Sequence, residues 1–578
     1  MRGVLLTSEE MPAPAPCGRA DIPAGVTGSL FDRGSSAGIY VDSLGIEKDM
    51  LAHINFIMGA PGTGKTTALK DIWDKLNPSH ADSLSFYTTY SRSMAKAARG
   101  ILGGDKAHVG TLHSVCTRLL GWSASKGGDK GDFLTDAHMI EFAQRYNIQK
   151  KSRVRPWEEE ADGDQHDELG QILMAWGVAR NQVPPANPND WDSGTGRDLG
   201  LLLHHYSMFK LEKGGKKDYD DILEEVVRLE EEAGSQGPLP ACDLLLIDEA
   251  QDLTPLMWRL VDLWAAKSRV VVIAGDDDQS IGGYRGVHVD DYLNRIRGRG
   301  SDSRLFILDR SYRLSQNILM HARRTIDGIS SGRVKKDVSP RAEGGKVEYA
   351  RSLRSLMESG GRKLILCASG TLMREVSDIV EKEFPDVVLM AVNPKHQGRL
   401  TWSERMIDLP NIIAQFPNLT REQFSYLVAY LPASGILRRG VKASVKERRF
   451  FSDEHSHQTR LDQAGADMTQ MLSAFQGNPD REQLIRQLDY PGKKKEMMLK
   501  WVGRTISREN FIQIDTYHAS KGLESDAVGL VLDIGSRWIK QQTVDPDSVR
   551  RLLYVARTRA KSYHVEISLS LGQGRWLF

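Results

Sequence analysis

The chain has 578 residues, more than one hydrophobic core organises, so three or four domain-sized units are expected. With 40% hydrophobic and 26% charged residues and a formal net charge of +1, it has a globular balance, and no global basic field marks a nucleic-acid partner; any such site must be local. Cys17, Cys116, Cys242 and Cys367 stand far apart, which argues against a disulfide framework or zinc site, and no run of about 18 apolar residues suggests a membrane partner.

In chain order, residues 1–45 are rich in Pro, Gly, Ala and Ser and are expected to be a flexible segment. Glu9, Glu10, Pro12, Pro14 and Pro16 are unlike a signal peptide, and a cytoplasmic location is expected. Residues 46–120 alternate short apolar strands with helices, as an α/β domain does. Residues 121–235 turn polar and helical, and the α/β pattern returns over 236–295 with the apolar runs 242–248 and 270–275. A first α/β domain split by a helical insertion follows from this. A second is expected over 296–395 and 509–578, with strands at 304–308, 363–367 and 511–515, interrupted by a polar helical segment at 396–508. No short internal repeat is present.

Residues Gly59, Ala60, Pro61, Gly62, Thr63, Gly64, Lys65 and Thr66 form a complete G-x-x-x-x-G-K-[ST] loop between the apolar run 54–58 and a helix-like stretch, 67–76. In that context the glycines let backbone N–H groups curl around phosphates, Lys65 reaches the β- and γ-phosphates, and the Thr66 hydroxyl holds Mg²⁺. Asp248-Glu249 closes the buried run 242–248, where α/β proteins bind ligands: Asp248 suits Mg²⁺ and Glu249 suits the attacking water. Taken alone this pair reads equally well as an exposed acidic turn. Asp276, Asp277 and Asp278 could form a metal cluster, but consecutive side chains diverge, and Gln279 as a sensor of the γ-phosphate or its water is preferred.

In this order the motifs resemble those of the UvrD/Rep/PcrA-type superfamily 1 DNA helicases. They are GAPGTGKTT (59–67), TYSRSMAKAA (89–98), GTLHSVCTRLL (110–120), DYDDIL (218–223), LLLIDEAQD (244–252), GDDDQSIGGYRG (275–286), LDRSYRLS (308–315), TYHASKGLE (516–524) and RRLLYVARTRA (550–560). The resemblance covers about residues 50–570 and implies an α/β fold of two RecA-like P-loop NTPase motor domains, each interrupted by a mainly helical insertion. It implies ATP and Mg²⁺ as cofactors, and single-stranded DNA and single-strand/duplex junctions as partners. Lys65, Asp248, Glu249, Gln279, Arg313 and Arg559 become the implied catalytic set, with Thr66 and Asp248 on the metal and residues 59–66 with Thr67 on the phosphates. Tyr312 would stack on the adenine, Arg313 would reach the γ-phosphate, Glu524 would meet the ribose, and Arg559 would be the arginine finger.

For the nucleic acid the resemblance implicates Tyr90 and Tyr284 as base-stacking rings, Arg285 beside the latter, and Thr111, His113, Thr516 and His518 along the strand. Each is also compatible with ordinary core packing. Arg438, Arg439, Lys442, Lys446, Arg448 and Arg449 fit either a duplex-backbone contact or a solvated helix face.

Three departures qualify the resemblance. No glutamine precedes the P-loop, where the family reads the adenine edge, so a looser preference for ATP is expected. The second insertion is shorter than is usual. Only 18 residues follow Ala560, so Arg575-Trp576-Leu577-Phe578 would be at most a stub of the strand-separating pin. The expectation is an ATP-dependent single-stranded DNA translocase and helicase of replication, repair or recombination, 3′→5′ on resemblance alone. The alternative is a strand-stimulated ATPase that strips proteins but unwinds poorly. GDDDQSIGGYRG argues against the opposite polarity, and the intact catalytic set against a non-enzymatic scaffold.

Overall fold

Two wholly parallel sheets organise the chain in the computed structural model, which describes residues 39–41, 46, 51–76, 84–102, 108–122, 131–149, 168–191, 194–298, 300–330, 332–391, 404–446, 468–490, 492–501, 511–571 and 574–576. The first sheet comprises β1 (Ile39–Val41), β2 (Ile54–Gly59), β3 (Ser85–Thr89), β4 (Val109–Thr111), β5 (Cys242–Asp248), β6 (Ser268–Gly275) and β7 (Ser303–Leu308), in the order β1-β7-β2-β6-β5-β3-β4. Its strands read as unbroken apolar runs because helices cover both faces. On one face the helix Lys65–Leu76 buries Ala68, Leu69, Ile72, Trp73 and Leu76 against Ile57, Leu244 and Leu246. On the other, the helix Pro255–Ala265 brings Trp258, Val261 and Trp264 onto Phe86, Leu245 and Ile273.

Two sequence expectations are corrected here. Ser303–Leu308, expected in the second α/β domain, pairs with β2 from Ile54 opposite Ser303 to Gly59 opposite Leu308. A parallel strand covered on both faces carries no mark of which sheet it joins, so composition could not assign it. Ile39–Val41, expected within the flexible leader, is the edge strand beside β7; the rest of residues 1–38 lies outside the described residues.

The second sheet runs β10 (Val388–Ala391), β11 (Phe511–Thr516), β9 (Lys363–Cys367), β12 (Ser525–Val531), β14 (Ala560–Ile567) and β8 (Lys346–Ala350) in that spatial order. The helices Gln316–Asp327 and Pro546–Arg557 pack on one another through Ala322, Ile326 and Tyr554. A short antiparallel pair, β13 (Asp533–Ile534) with β15 (Gly574–Arg575), returns the tail to this unit. Trp576 is consequently buried in the second core, its indole N–H donating to the Tyr517 hydroxyl at 3.1 Å. The expected pin stub is a core anchor instead, because pairing at β15 turns the indole inward; Leu577 and Phe578 lie outside the described residues.

The helical segments have their own cores. Phe142, Trp176, Tyr206 and Phe209 centre one, between residues 134 and 209. The helix Asp221–Ala233, read from sequence as part of that insertion, packs Ile222, Leu223 and Val226 into the first sheet's core. A second helical core gathers Leu409, Phe424, Phe475, Leu484 and Trp501. Among the described residues no helix is long and apolar enough to cross a membrane.

Candidate functional site

The carboxyl ends of β2, β5 and β6 converge on a cleft of about 560 Å³ whose far wall comes from residues 312–313 and 522–559. β2 delivers Gly59, and the chain turns through Ala60-Pro61-Gly62-Thr63-Gly64 into the helix Lys65–Leu76. Gly62 has φ +75°, and a Cβ there would collide with Arg313, so both conformation and space demand glycine. The Thr63 hydroxyl closes the turn by donating to Ala60 O at 2.8 Å. The Lys65 ammonium folds back to donate to Gly59 O at 2.8 Å. Burial lowers its pKa, opposed by Asp276, Glu249 and Asp248. The segment after β7 crosses the loop: Tyr312 N donates to Gly62 O at 2.7 Å and the Ser311 hydroxyl to Pro61 O at 3.1 Å.

Asp248 receives two hydroxyls on Oδ2, from Thr66 at 3.0 Å and Tyr87 at 2.6 Å. Burial, reinforced by Glu249, raises its pKa. Such a crowded pair of carboxylates, with a threonine hydroxyl alongside, has the donor chemistry that a hard divalent cation prefers. Glu249 occupies the left-handed region at φ 56°, uncommon for a residue with a Cβ. Its carboxylate accepts from Gln251 Nε2 at 2.6 Å and lies 3.4 Å from the Lys521 ammonium. Burial raises the Glu249 pKa, but Lys521 and Lys65 outweigh it and the net shift is downward.

On the opposite wall Arg313 Nε donates to Glu524 Oε2 at 2.8 Å, and Lys561 pairs with the other oxygen at 2.5 Å. The Arg559 guanidinium is buried: Nε donates to Val555 O at 2.7 Å and Nη2 to Gln279 Oε1 at 3.2 Å. Burial first, then the neighbouring Arg313, pulls its pKa down to about 9. Tyr312 is 44% exposed, with the Arg310 guanidinium 5.5 Å from its ring centre. Thr67, the last phosphate-loop candidate, also lines this cleft. All of the expected catalytic and nucleotide-binding residues are thus near one opening or its floor.

The three acids after β6, expected to point apart, instead converge on one buried ammonium and are sealed. Lys336 Nζ lies 2.9 Å from both Asp276 Oδ1 and Asp278 Oδ2 and also pairs with Asp277; Arg333 holds Asp278 through two bonds of 2.9 Å. A second buried polar group, His321, His564 and Glu566, is occupied likewise, since Arg557 donates twice to the same Glu566 oxygen as His321.

A neighbouring pocket is lined by Tyr90, Tyr284, Arg285, His518, Asp252 and Lys521, among others. The Arg285 guanidinium lies 4.9 Å from the Tyr284 ring centre and 5.5 Å from that of Tyr90. Tyr284 meets His518 edge-on at 5.5 Å, and His518 stacks on Trp538 at 5.7 Å. Burial, then Arg285 and Arg537, lowers the His518 pKa to about 3. Thr111, His113 and Thr516 are placed elsewhere. Thr111 caps the helix Leu112–Leu119, His113 stacks on Tyr219 at 4.1 Å, and the buried Thr516 hydroxyl accepts from Ala519 N. Threonines after strands make good caps, so position in a motif did not distinguish capping from strand contact. Arg438 donates to Phe475 O at 3.0 Å, Lys442 to Leu431 O, and Arg439 and Lys446 are exposed; Arg448 and Arg449 lie outside the described residues.

Sequence reasoning missed Lys521, which lines the aromatic pocket, pairs with Asp252 and reaches two residues of the first cleft, pairing with Glu249 and donating to Gln279 O at 3.3 Å. Its place inside TYHASKGLE was the available signal. Lys336, Arg333, Tyr87 and Trp538 were also missed, and nothing in their local patterns marks them.

Residues 46–297 match the family described as UvrD/REP helicase N-terminal domain. The chain is similar to an ATP-dependent DNA helicase PcrA of Leuconostoc citreum, 24% identical over 316 residues, 51% of this chain and 40% of that protein. A PcrA of Staphylococcus aureus (strain Mu50 / ATCC 700699) is 23% identical over 51% of this chain and 41% of its own length. A DNA helicase II of Haemophilus influenzae is 23% identical over 50% and 40%. The matches thus span about two fifths of these curated relatives. Together with the P-loop cleft between two parallel-sheet, RecA-like units, these likenesses support a UvrD/PcrA-type helicase, with the family match itself confined to residues 46–297.

Proposed function

We propose that this protein hydrolyses ATP with Mg²⁺ to move along single-stranded DNA, 3′→5′, and separates duplex at single-strand/duplex junctions. The observation that carries the reading is the composite cleft, with Lys65, Thr66, Asp248 and Glu249 on one wall and Arg313 and Arg559 on the other. Lys65 leaves its backbone carbonyls for phosphate oxygens, Glu249 orients and deprotonates the attacking water, and the two arginines meet charge that develops on the transferring phosphoryl group. Thr66 and Asp248 would hold Mg²⁺, which when bound neutralises phosphate charge. Because the arginines and Glu249 sit on opposite walls, nucleotide turnover changes what bridges the two sheets.

The aromatic pocket supplies the grip. Tyr90, Tyr284 and His518 offer rings, and a stacked base gains roughly 1–3 kcal/mol with little sequence preference. Lys521 lines that pocket and touches Glu249, which connects strand entry to the hydrolytic carboxylate. Burial of Trp576 in the second core favours one variant of the reading, in which translocation and protein displacement outrun unwinding. The first experiment is ATP hydrolysis in Mg²⁺ with and without single-stranded DNA, with Glu249→Gln as control. Strand-stimulated turnover lost in the variant is the expected result; no turnover in the folded wild type defeats the proposal. A forked-duplex assay then separates unwinding from translocation alone.

A further inference from the structure

Three consecutive acids beside Gln279 are fully buried, and their arrangement determines which end of that amide faces the nucleotide cleft. Gln279 Nε2 donates to Asp276 Oδ2 at 2.7 Å, while Gln279 Oε1 accepts from Arg559 Nη2 at 3.2 Å. An ionised carboxylate only accepts and a guanidinium only donates, so one of the two amide orientations satisfies both neighbours and the flipped one satisfies neither. The orientation therefore follows from the identities of the partners.

Asp276 is itself held. Its Oδ1 is 2.9 Å from the Lys336 ammonium, with the lysine side chain 2% exposed and the carboxylate 0%. Its backbone N–H donates to Gln251 Oε1 at 2.9 Å, and Gln251 passes the constraint on by donating to Glu249. Lys336 is anchored in turn: Val334 N donates to Asp277 Oδ2 at 2.9 Å, and Arg333 clamps Asp278. A buried ion pair satisfied on all sides fixes geometry even where it adds little net stability.

We propose that Lys336 is a positioning residue that, through Asp276, fixes the Gln279 amide with its carbonyl oxygen toward the cleft. Gln279 then serves as an acceptor for the attacking water or an arginine N–H, and cannot donate to a phosphate oxygen without abandoning Asp276. This rests on the hydrolysis reading given under Proposed function.

The test is kcat and KM for ATP in the full chain, with single-stranded DNA and Mg²⁺. Gln279→Glu alone sets two carboxylates face to face and should lower kcat about tenfold or more, with KM changed much less. Adding Asp276→Asn restores a donor opposite the new carboxylate and leaves an acceptor toward the cleft. The pair should recover kcat to within about threefold of Asp276→Asn alone. A pair no more active than Gln279→Glu overturns the proposal, since it means the cleft needs the amide as donor. Lys336→Met should likewise lower kcat about tenfold at near-constant KM, with Lys336→Arg recovering most of it. Wild-type kcat in a folded Lys336→Met overturns the lysine's part. If that variant does not fold, the near-isosteric Asp276/Gln279 cycle decides. Absence of ATP turnover in the wild type sinks the hydrolysis reading itself, and this proposal with it, before any variant is compared.

Discussion

Neighbouring strands β5 and β6 both end in acids, and the two ends have opposite fates. Asp248-Glu249 opens onto the cleft, where its cations, Lys65 and Lys521, also bond backbone carbonyls at Gly59 and Gln279. Asp276 to Asp278 is closed by Lys336 and Arg333 and has no exposed surface. The difference lies in where the counter-charge comes from. Cations shared with backbone oxygens can move to a ligand, whereas an ammonium seated among three buried carboxylates has nowhere better to go. One acidic end is built to exchange partners and the other to keep them.

Breaking the sealed end should give the largest effect. Lys336→Met removes the ammonium that Asp276, Asp277 and Asp278 share, leaving Arg333 bonded to Asp278, and should cost about 3–5 kcal/mol of folding stability, read by urea unfolding. At the open end, Lys65→Ala should cut ATP turnover by about 10²–10³ while moving the unfolding midpoint far less and leaving single-strand binding largely intact. Equal stability losses from the two lysines would erase the distinction.

The aromatic pocket beside the open end sharpens the comparison at smaller scale. Tyr284→Ala should weaken single-stranded DNA binding by about 1–3 kcal/mol in a fluorescence titration, with strand-free ATP turnover unchanged. Lys521→Met acts through charge. Lys521 helps hold the Glu249 carboxyl below its usual range, so its loss raises that pKa, and the acid limb of the kcat–pH profile should move to higher pH. A limb that stays in place would assign the acid titration to another group.

Residues legible from sequence share one trait, that their chemistry is local to a loop or strand end. Gly62, Lys65 and Thr66 were readable because spacing alone places them on one turn, and Asp248 because it ends an apolar run. Arg313 and Arg559 needed the resemblance, since nothing near them reveals that both face Lys65 across the cleft. Lys336 was invisible for a stricter reason: its three partners lie about sixty residues earlier and on another element, and a lysine in a polar stretch reads as solvated. The same limit misassigned Ser303–Leu308, whose two neighbours, Ile39–Val41 and Ile54–Gly59, lie some 250 residues back. Trp576 reversed role because a two-residue pairing at β15 decides which way the tail points.

The smallest lever is His518, which asks whether the aromatic pocket behaves like the open end or the sealed one. Burial, then Arg285 and Arg537, hold its folded pKa at about 3, against 6.5 unperturbed. Because the folded value is depressed, the neutral ring's contribution is complete above about pH 6.5. As pH falls toward 3 the unfolded chain takes up a proton that the folded chain refuses, and stability drops by about 1.4 kcal/mol per pH unit from this group. His518→Asn removes that slope while His564, whose pKa burial also lowers, is common to both proteins and cancels. Urea unfolding at pH 7 and pH 5 should therefore show wild type losing about 2 kcal/mol more than the variant. Equal losses would mean that His518 protonates in place, with solvent or a moved Arg285 easing the charge. The pocket would then share the exchangeable character of the Asp248-Glu249 end, and the ring between Tyr284 and Trp538 would be a mobile contact for a strand, not part of a fixed wall.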